Sequence, residues 1–109
     1  MPATQAQAKF VRLTPVLKEA LVADTRFQNL LSCINRTWQV IGPDSEAACA
    51  EMGEKPMKKS ERLEVVLDAN YISTNCGKDG VAAEDYLKDL EKIYGYKAVE
   101  KFLLEHAYI

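Results

Sequence analysis

One stretch of the chain, from Asp24 to Gly42, repeats apolar residues at the three- and four-residue spacing of a single helical face. The apolar positions are Phe27, Leu30, Leu31, Ile34, Trp38 and Ile41. Asp24 can cap the first turn, and Gly42 followed by Pro43 is a typical helix end because proline cannot continue a helix. The pattern therefore predicts a central helix over 24–42, with Trp38, the single tryptophan, in the core.

Apolar spacing and turn residues divide the rest of the chain into further helices. Thr14-Pro15 is a typical helix start, and that helix should place Val16, Leu17, Leu21 and Val22 inward. The helices predicted besides the central one are 15–23, 45–52, 57–70, 81–94 and 97–107. We expect residues 73–80, STNCGKDG, to form a loop. The β-branched residues in 65–72 leave a short strand as an alternative there.

Length and composition favour one globular domain. A chain of 109 residues, 48% of them apolar and 28% charged, can bury a single core without disulfides. We therefore predict a compact all-α bundle of five or six helices over residues 1–109, with residues 1–8 frayed. The last two helices should form an antiparallel hairpin.

The charges are unevenly distributed along the chain. The net charge of −2 gives no overall drive toward nucleic acid or anionic membranes. Residues 1–41 hold five basic and two acidic residues, and residues 42–109 hold nine basic and fourteen acidic ones. The two parts could attract each other within the fold or present opposite poles to a partner. No apolar run approaches the length of a membrane span.

The three cysteines, Cys33, Cys49 and Cys76, are far apart and form no C-x-x-C pair, and His106 is the only histidine. This pattern matches neither a zinc site nor a disulfide framework, so we expect no metal and no cofactor. Free cysteines favour a reducing compartment, the cytoplasm. The first eighteen residues contain three basic and no acidic residues, which leaves the mitochondrial matrix as an alternative.

The predicted loop does not match a known ion or phosphate motif. If Gly80 takes the glycine position of a calcium loop, Gly77 and Tyr86 fall where oxygen ligands are needed. Lys78 also lacks the residues that flank the lysine of a phosphate loop. We interpret 73–80 as a surface loop.

We find no catalytic arrangement in the sequence and predict that the protein is not an enzyme. His106 lies near a predicted helix C-terminus, where the helix dipole favours its cation. Glu61, Glu64 and Asp68 share one helical face and are interpreted as a solvated acidic surface. An enzyme would need a pocket that unites a cysteine or carboxylate with His106.

The face of the central helix opposite the apolar stripe is polar but almost uncharged. Its residues are Gln28, Asn29, Ser32, Asn35, Arg36 and Gln39. Amide side chains suit a surface that is hydrogen-bonded, either to neighbouring helices of the same chain or to a partner. We take Gln28, Asn35, Arg36 and Gln39 as candidate partner contacts.

Two further surfaces are candidate contacts. Lys55, Lys58, Lys59 and Arg62 follow the spacing of one helical stripe at a predicted helix start, where positive charge opposes the dipole. The stripe is either paired within the chain or directed at an anionic partner. The apolar C-terminal residues Tyr108 and Ile109 pack on the core or insert into a partner.

These surfaces favour a non-catalytic protein-binding role, as a small accessory subunit of a larger complex or as a small inhibitor or adaptor. Its partner would be another protein, with an acidic surface if the basic stripe is the contact. The alternative is a nucleic-acid-associated protein that uses the same stripe, although four basic residues without aromatic neighbours are a weak signal. The oligomeric state is left open.

Overall fold

The structure, a computed structural model, describes residues 9–68 and 70–109, which form five α-helices and no strand. In chain order these are α1 Pro15–Ala23, α2 Thr25–Glu51, α3 Lys59–Leu67, α4 Tyr71–Tyr94 and α5 Tyr96–His106. The predicted all-α bundle is confirmed, and no strand replaces helix in the described part of 65–72. The predicted fraying of residues 1–8 lies outside the described residues.

Helix α1 has the predicted bounds and passes directly into α2. The Thr14 hydroxyl accepts a hydrogen bond from Leu17 N at 3.3 Å, which caps α1. Asp24 then caps α2 by accepting from Arg26 N at 2.8 Å. The inward placement of Val16 is wrong, since its side chain is 75% exposed. The other three predicted inward residues are half-buried: Leu17, Leu21 and Val22.

The predicted end of the central helix at Gly42 is wrong. Helix α2 continues through Pro43 to Glu51 and includes the separate helix predicted for 45–52. Because proline has no amide hydrogen, the carbonyl group of Gln39 loses its helical partner at Pro43. Gln39 and Pro43 are both exposed, so water can bind that carbonyl group. Helix α2 ends at Glu51, and Gly53, two residues further on, adopts a φ of 73°.

Helix α2 is the hub of the bundle, as the apolar stripe indicated. It packs against α1, α3 and α4, and its Phe27 ring stacks on Phe102 of α5 with 4.9 Å between ring centroids. The buried apolar residues of the helices are Phe27, Leu30, Cys33, Ile34, Leu63, Val66, Ile72, Ala83, Tyr86, Leu87, Leu90, Val99, Phe102 and Leu103. Trp38 packs against this core as predicted, at its edge, with the side chain half-buried.

The predicted loop over 73–80 is wrong, because these residues are part of α4. The helix is interrupted only at Gly77, with φ 60° and ψ −131°. The Asn29 side chain donates to Asp79 O at 3.0 Å, which attaches this segment to α2. Gly80 is buried against the backbone of Ile72, so a Cβ there would collide with the Ile72 carbonyl. Gly77 and Gly80 therefore allow the first turns of α4 to pack closely against its later turns.

The last two helices form the predicted hairpin and meet at Gly95, whose φ is 90°. They pack against each other, and α5 begins and ends one residue earlier than predicted. The segment before α1 crosses this corner: Val11 N donates to Ile93 O at 2.8 Å, and the Phe10 ring lies beside Gly95. In residues 9–68 and 70–109, no helix is both long enough and apolar enough to cross a membrane.

Candidate functional site

The amide face of α2 is bonded largely within the chain. Gln28 Nε2 donates to Val22 O at 3.2 Å, and Asn35 Oδ1 accepts from Tyr108 N at 2.8 Å. Arg36 and Gln39 are exposed. Neighbouring elements of the same chain therefore account for the amides at Gln28 and Asn35. Among the described residues, no such bond is formed by the side chains of the other two candidates, Arg36 and Gln39.

The four residues of the predicted basic stripe do not all lie on one helix, because α3 begins only at Lys59. Lys55 lies before α3 and, like Lys58, is exposed. Lys59 Nζ donates to Leu104 O, in the last turn of α5, at 2.7 Å. A lysine beside the last carbonyl groups of a helix stabilises that helix, because its positive charge interacts favourably with the negative end of the helix dipole.

Arg62 also makes contacts within the chain. Its Nη2 lies 3.5 Å from Glu46 Oε2, and its guanidinium carbon lies 5.7 Å from the centroid of the Trp38 ring. Of the four cations, Lys59 and Arg62 therefore join α3 to α5 and α2, and Lys59 stays exposed while it does so.

The C-terminal residues pack on the chain's own core. Ala107 is buried, and Ile109 is half-buried against the core. The Tyr108 side chain is 84% exposed, although its backbone amide is bonded to Asn35. Of the two predicted contact residues, only Tyr108 has a side chain in solvent.

A groove of about 770 Å³ lies between α3 and α4. Six carboxylates and one lysine line it: Glu54, Glu61, Glu64, Asp68, Glu84, Glu91 and Lys88. The other lining residues are Cys49, Met57, Val65, Leu67, Asn70, Leu87 and Tyr96. We call this surface the acidic groove; it combines aliphatic and sulfur-containing side chains with a strong excess of negative charge.

Two groove carboxylates also hold the local backbone. Glu61 Oε1 accepts from Lys58 N at 2.8 Å at the start of α3, and Glu84 Oε2 accepts from Ser73 N at 3.3 Å across the Gly77 interruption. Three ion pairs formed by described residues lie elsewhere: Lys18–Glu105, Arg26–Asp24 and Arg62–Glu46. The negative charge of the groove glutamates is thus not cancelled by those pairs.

Two groove residues have raised pKa values, and burial is the largest cause in both. Burial raises the pKa of Tyr96 to about 12, and the neighbouring Glu100, Glu64 and Glu91 contribute in the same direction. Burial also raises the pKa of Glu91, with Lys88 acting in the opposite direction. Both shifts disfavour additional negative charge in this groove.

Sequence reasoning did not identify this site. Glu61, Glu64 and Asp68 were interpreted as a solvated face, and the structure places them in one groove with Glu84 and Glu91 of α4. The available signal was the acidic excess of residues 42–109. That excess does not show which helices lie side by side.

The groove carboxylates are spread out and not gathered at one point. Within residues 9–68 and 70–109, no group of three or more His, Cys, Asp or Glu residues could hold a metal ion. His106 packs edge-on against Phe102 and Phe27, with centroid separations of 5.2 and 6.0 Å. The groove is therefore better suited to several separate cationic groups than to one ion.

No protein-family model matches the chain, and no curated protein or solved structure is significantly similar to it.

Proposed function

We propose that this all-α chain is a non-catalytic protein-binding module whose acidic groove takes a basic segment of another protein. The observation that carries the proposal is the groove itself, where six carboxylates face one lysine around apolar side chains. Charge complementarity of this kind accelerates association and selects the partner.

The mixed lining favours a polypeptide segment over a small cation. Lysine and arginine can lay their aliphatic stems along apolar groups such as Met57 and Leu87 while their charged ends reach carboxylates. Arginine also pairs with a carboxylate through two parallel hydrogen bonds. A segment with several spaced cations would match carboxylates that are spread along the groove.

The geometry does not favour the nucleic-acid alternative. Lys59 Nζ and the Arg62 guanidinium already make contacts within the chain, although Lys59 is exposed like Lys55 and Lys58. The neighbouring acidic groove includes Glu54 and Glu61 and would repel phosphates. The role as an accessory subunit, inhibitor or adaptor remains part of our proposal, now with a basic partner surface.

The three cysteines are free, which supports our proposal of a reducing compartment such as the cytoplasm. Catalysis is not part of the proposal, because the His106 ring packs against aromatic rings and not beside a cysteine or carboxylate of the groove.

The test is the binding of a fluorescent peptide that alternates arginine with leucine, measured by anisotropy. We expect affinity to fall as salt is added and to fall at least about tenfold in the Glu64→Gln/Glu91→Gln double variant, because two attractive charges are lost. The matched control is Glu19→Gln/Asp44→Asn, which removes two exposed acidic charges outside the groove lining. Its affinity should change less than about twofold.

Equal weakening by both double variants would reduce the interaction to net charge and contradict the proposal. Binding that is unaffected by the groove substitutions would do the same. Sedimentation of the protein alone distinguishes a different occupant: concentration-dependent assembly lost in the groove variant would make a second copy of this chain the partner.

A further inference from the structure

Two cysteines that are far apart in sequence are brought together where α4 crosses α2. Cys76 Sγ lies 3.7 Å from Cys33 O and 3.9 Å from Thr37 Oγ1, one turn further along α2. Cys33 Sγ is directed at Asn29 Oδ1, at 3.8 Å, in the preceding turn. Both thiols are free, with Cys33 buried and Cys76 half-buried.

We propose that Cys33 and Cys76 are an intramolecular disulfide site, which closes when the protein meets a small-molecule disulfide such as oxidised glutathione. This site lies outside the acidic groove and does not depend on the proposed binding function.

The surrounding structure holds the two cysteines in position. Asn29 Nδ2 donates to Asp79 O at 3.0 Å, so the segment just after Cys76 is attached to the turn of α2 before Cys33. Gly77, with its positive φ, follows Cys76 directly and interrupts the helix there. A disulfide tolerates only a narrow range of separations, and the bond between Asn29 and Asp79 limits how far the segment after Cys76 can move from α2.

The reaction proceeds in two exchanges. The half-buried Cys76 is the accessible thiol, and its thiolate attacks the small disulfide, forming a mixed disulfide and releasing one small thiolate. The Cys33 thiolate then attacks the Cys76 sulfur, forming the Cys33–Cys76 bond and releasing the second small thiolate. In total the two protein thiols lose two protons and two electrons, and the small disulfide takes up both to become two thiols.

The second exchange should be the slow one. Burial raises the pKa of Cys33 to about 12, and the neighbouring Cys76 thiol and Asp79 act in the same direction, whereas Arg36 acts against them. Only the thiolate attacks, so closure should accelerate about tenfold per pH unit between roughly pH 7 and pH 9.

The experiment treats the Cys49→Ser variant with oxidised glutathione and follows its intact mass without reduction. Removing Cys49 matters because this third thiol lines the acidic groove and would form its own adduct. We expect a transient species heavier by one glutathionyl group and then a product about 2 Da lighter than the reduced chain. In the Cys49→Ser/Cys33→Ser variant, the glutathionyl species should persist.

A digest of oxidised wild-type protein tests the same pairing without any substitution at the buried Cys33. A peptide linking Cys33 to Cys76 supports the proposal. Glutathione that stays on Cys76 without closure would overturn it, as would cross-links that join only Cys49 or separate chains.

Discussion

Trp38 and Gly42 lie one turn apart on α2, and the indole ring fills the space that a side chain at residue 42 would occupy. A Cβ added to Gly42 would lie 2.6 Å from Trp38 Cε2 and 2.9 Å from Cδ2. The ring is also 5.7 Å from the Arg62 guanidinium of α3. The glycine therefore serves the packing of α3 on α2 and does not terminate the helix.

This contact predicts that the effect of Gly42→Ala changes sign with the residue at 38. With Trp38 present, the new methyl group should displace the ring and lower the free energy of unfolding by about 1 kcal/mol. In a Trp38→Ala background the conflict is absent, and alanine should instead stabilise the helix by roughly 0.5–1 kcal/mol. Urea unfolding of the four variants measures both effects. If Gly42→Ala changed the free energy of unfolding with the same sign in the Trp38 and Trp38→Ala backgrounds, the contact with the Trp38 ring would not be the cause.

Gly80→Ala should be far more damaging than an alanine at an open glycine. The added Cβ would be 2.8 Å from Ser73 Cα and in collision with the Ile72 carbonyl, so backbone would have to move. We expect a loss of about 3 kcal/mol or more in the free energy of unfolding. Gly53→Ala is the control, since its φ is 73° but nothing lies within 4 Å of the new methyl; about 1 kcal/mol is expected there. Similar losses at Gly80 and Gly53 would contradict a close contact between Gly80 and the backbone of Ile72 and Ser73.

Glu91→Gln should stabilise the protein at neutral pH but not in acid. Burial raises the folded-state pKa of Glu91 above its ordinary 4.5, so its ionisation opposes folding above that value and the cost disappears below it. The gain at pH 7 should be under about 1 kcal/mol because the side chain is only partly buried. Thermal unfolding at pH 7 and pH 4 measures it, with the exposed Glu51→Gln as control. An equal gain in stability at pH 7 and pH 4 would show that the gain does not come from the ionisation of Glu91.

Asp24→Ala should lower the melting temperature by several degrees at pH 7 because it removes the cap of α2. Hydrogen bonds from Arg26 hold the pKa of the Asp24 carboxyl below its ordinary 3.8. The bond from the Arg26 side chain has the larger effect, and the bond from its backbone amide has the smaller one. Its contribution to stability is therefore complete above pH 3.8 and lost as the pH falls through the lowered folded-state pKa. Circular dichroism melts over this range provide the test. Asp24→Asn can retain a cap, so it should show a smaller loss with no such pH dependence.

Local signals predicted the helices well where a cap or a break depends on adjacent residues. Thr14, Asp24 and Gly95 have the roles expected of a first cap, a second cap and a break. Gly42-Pro43 resembles a helix end equally well, yet the chain stays helical there. The ring of Trp38, which also lies near Arg62 of α3, fills the space beside Gly42, and Pro43 faces solvent, so both residues are accommodated inside the helix.

The acidic groove and the thiol pair could not be predicted in the same way. Both depend on which turns of α4 lie against α2 and α3, and this is determined by contacts such as Asn29 with Asp79. The polar, glycine-containing segment 73–80 is typical of a loop, so no sequence signal places Cys76 on a helix beside Cys33. Helix crossings, and not local propensity, create both sites.

The proline within α2 has a consequence for how the longest helix would respond to deuterium exchange. Residues 25–42 carry the buried face, whereas most side chains from Pro43 to Glu51 are exposed. The proline also removes one backbone hydrogen bond of the helix. Residues 25–42 and 43–51 should therefore differ in their protection against hydrogen exchange. Amides of residues 43–51 would exchange by local unfolding of the helix end, whereas amides of residues 25–42 would exchange only when the whole bundle unfolds.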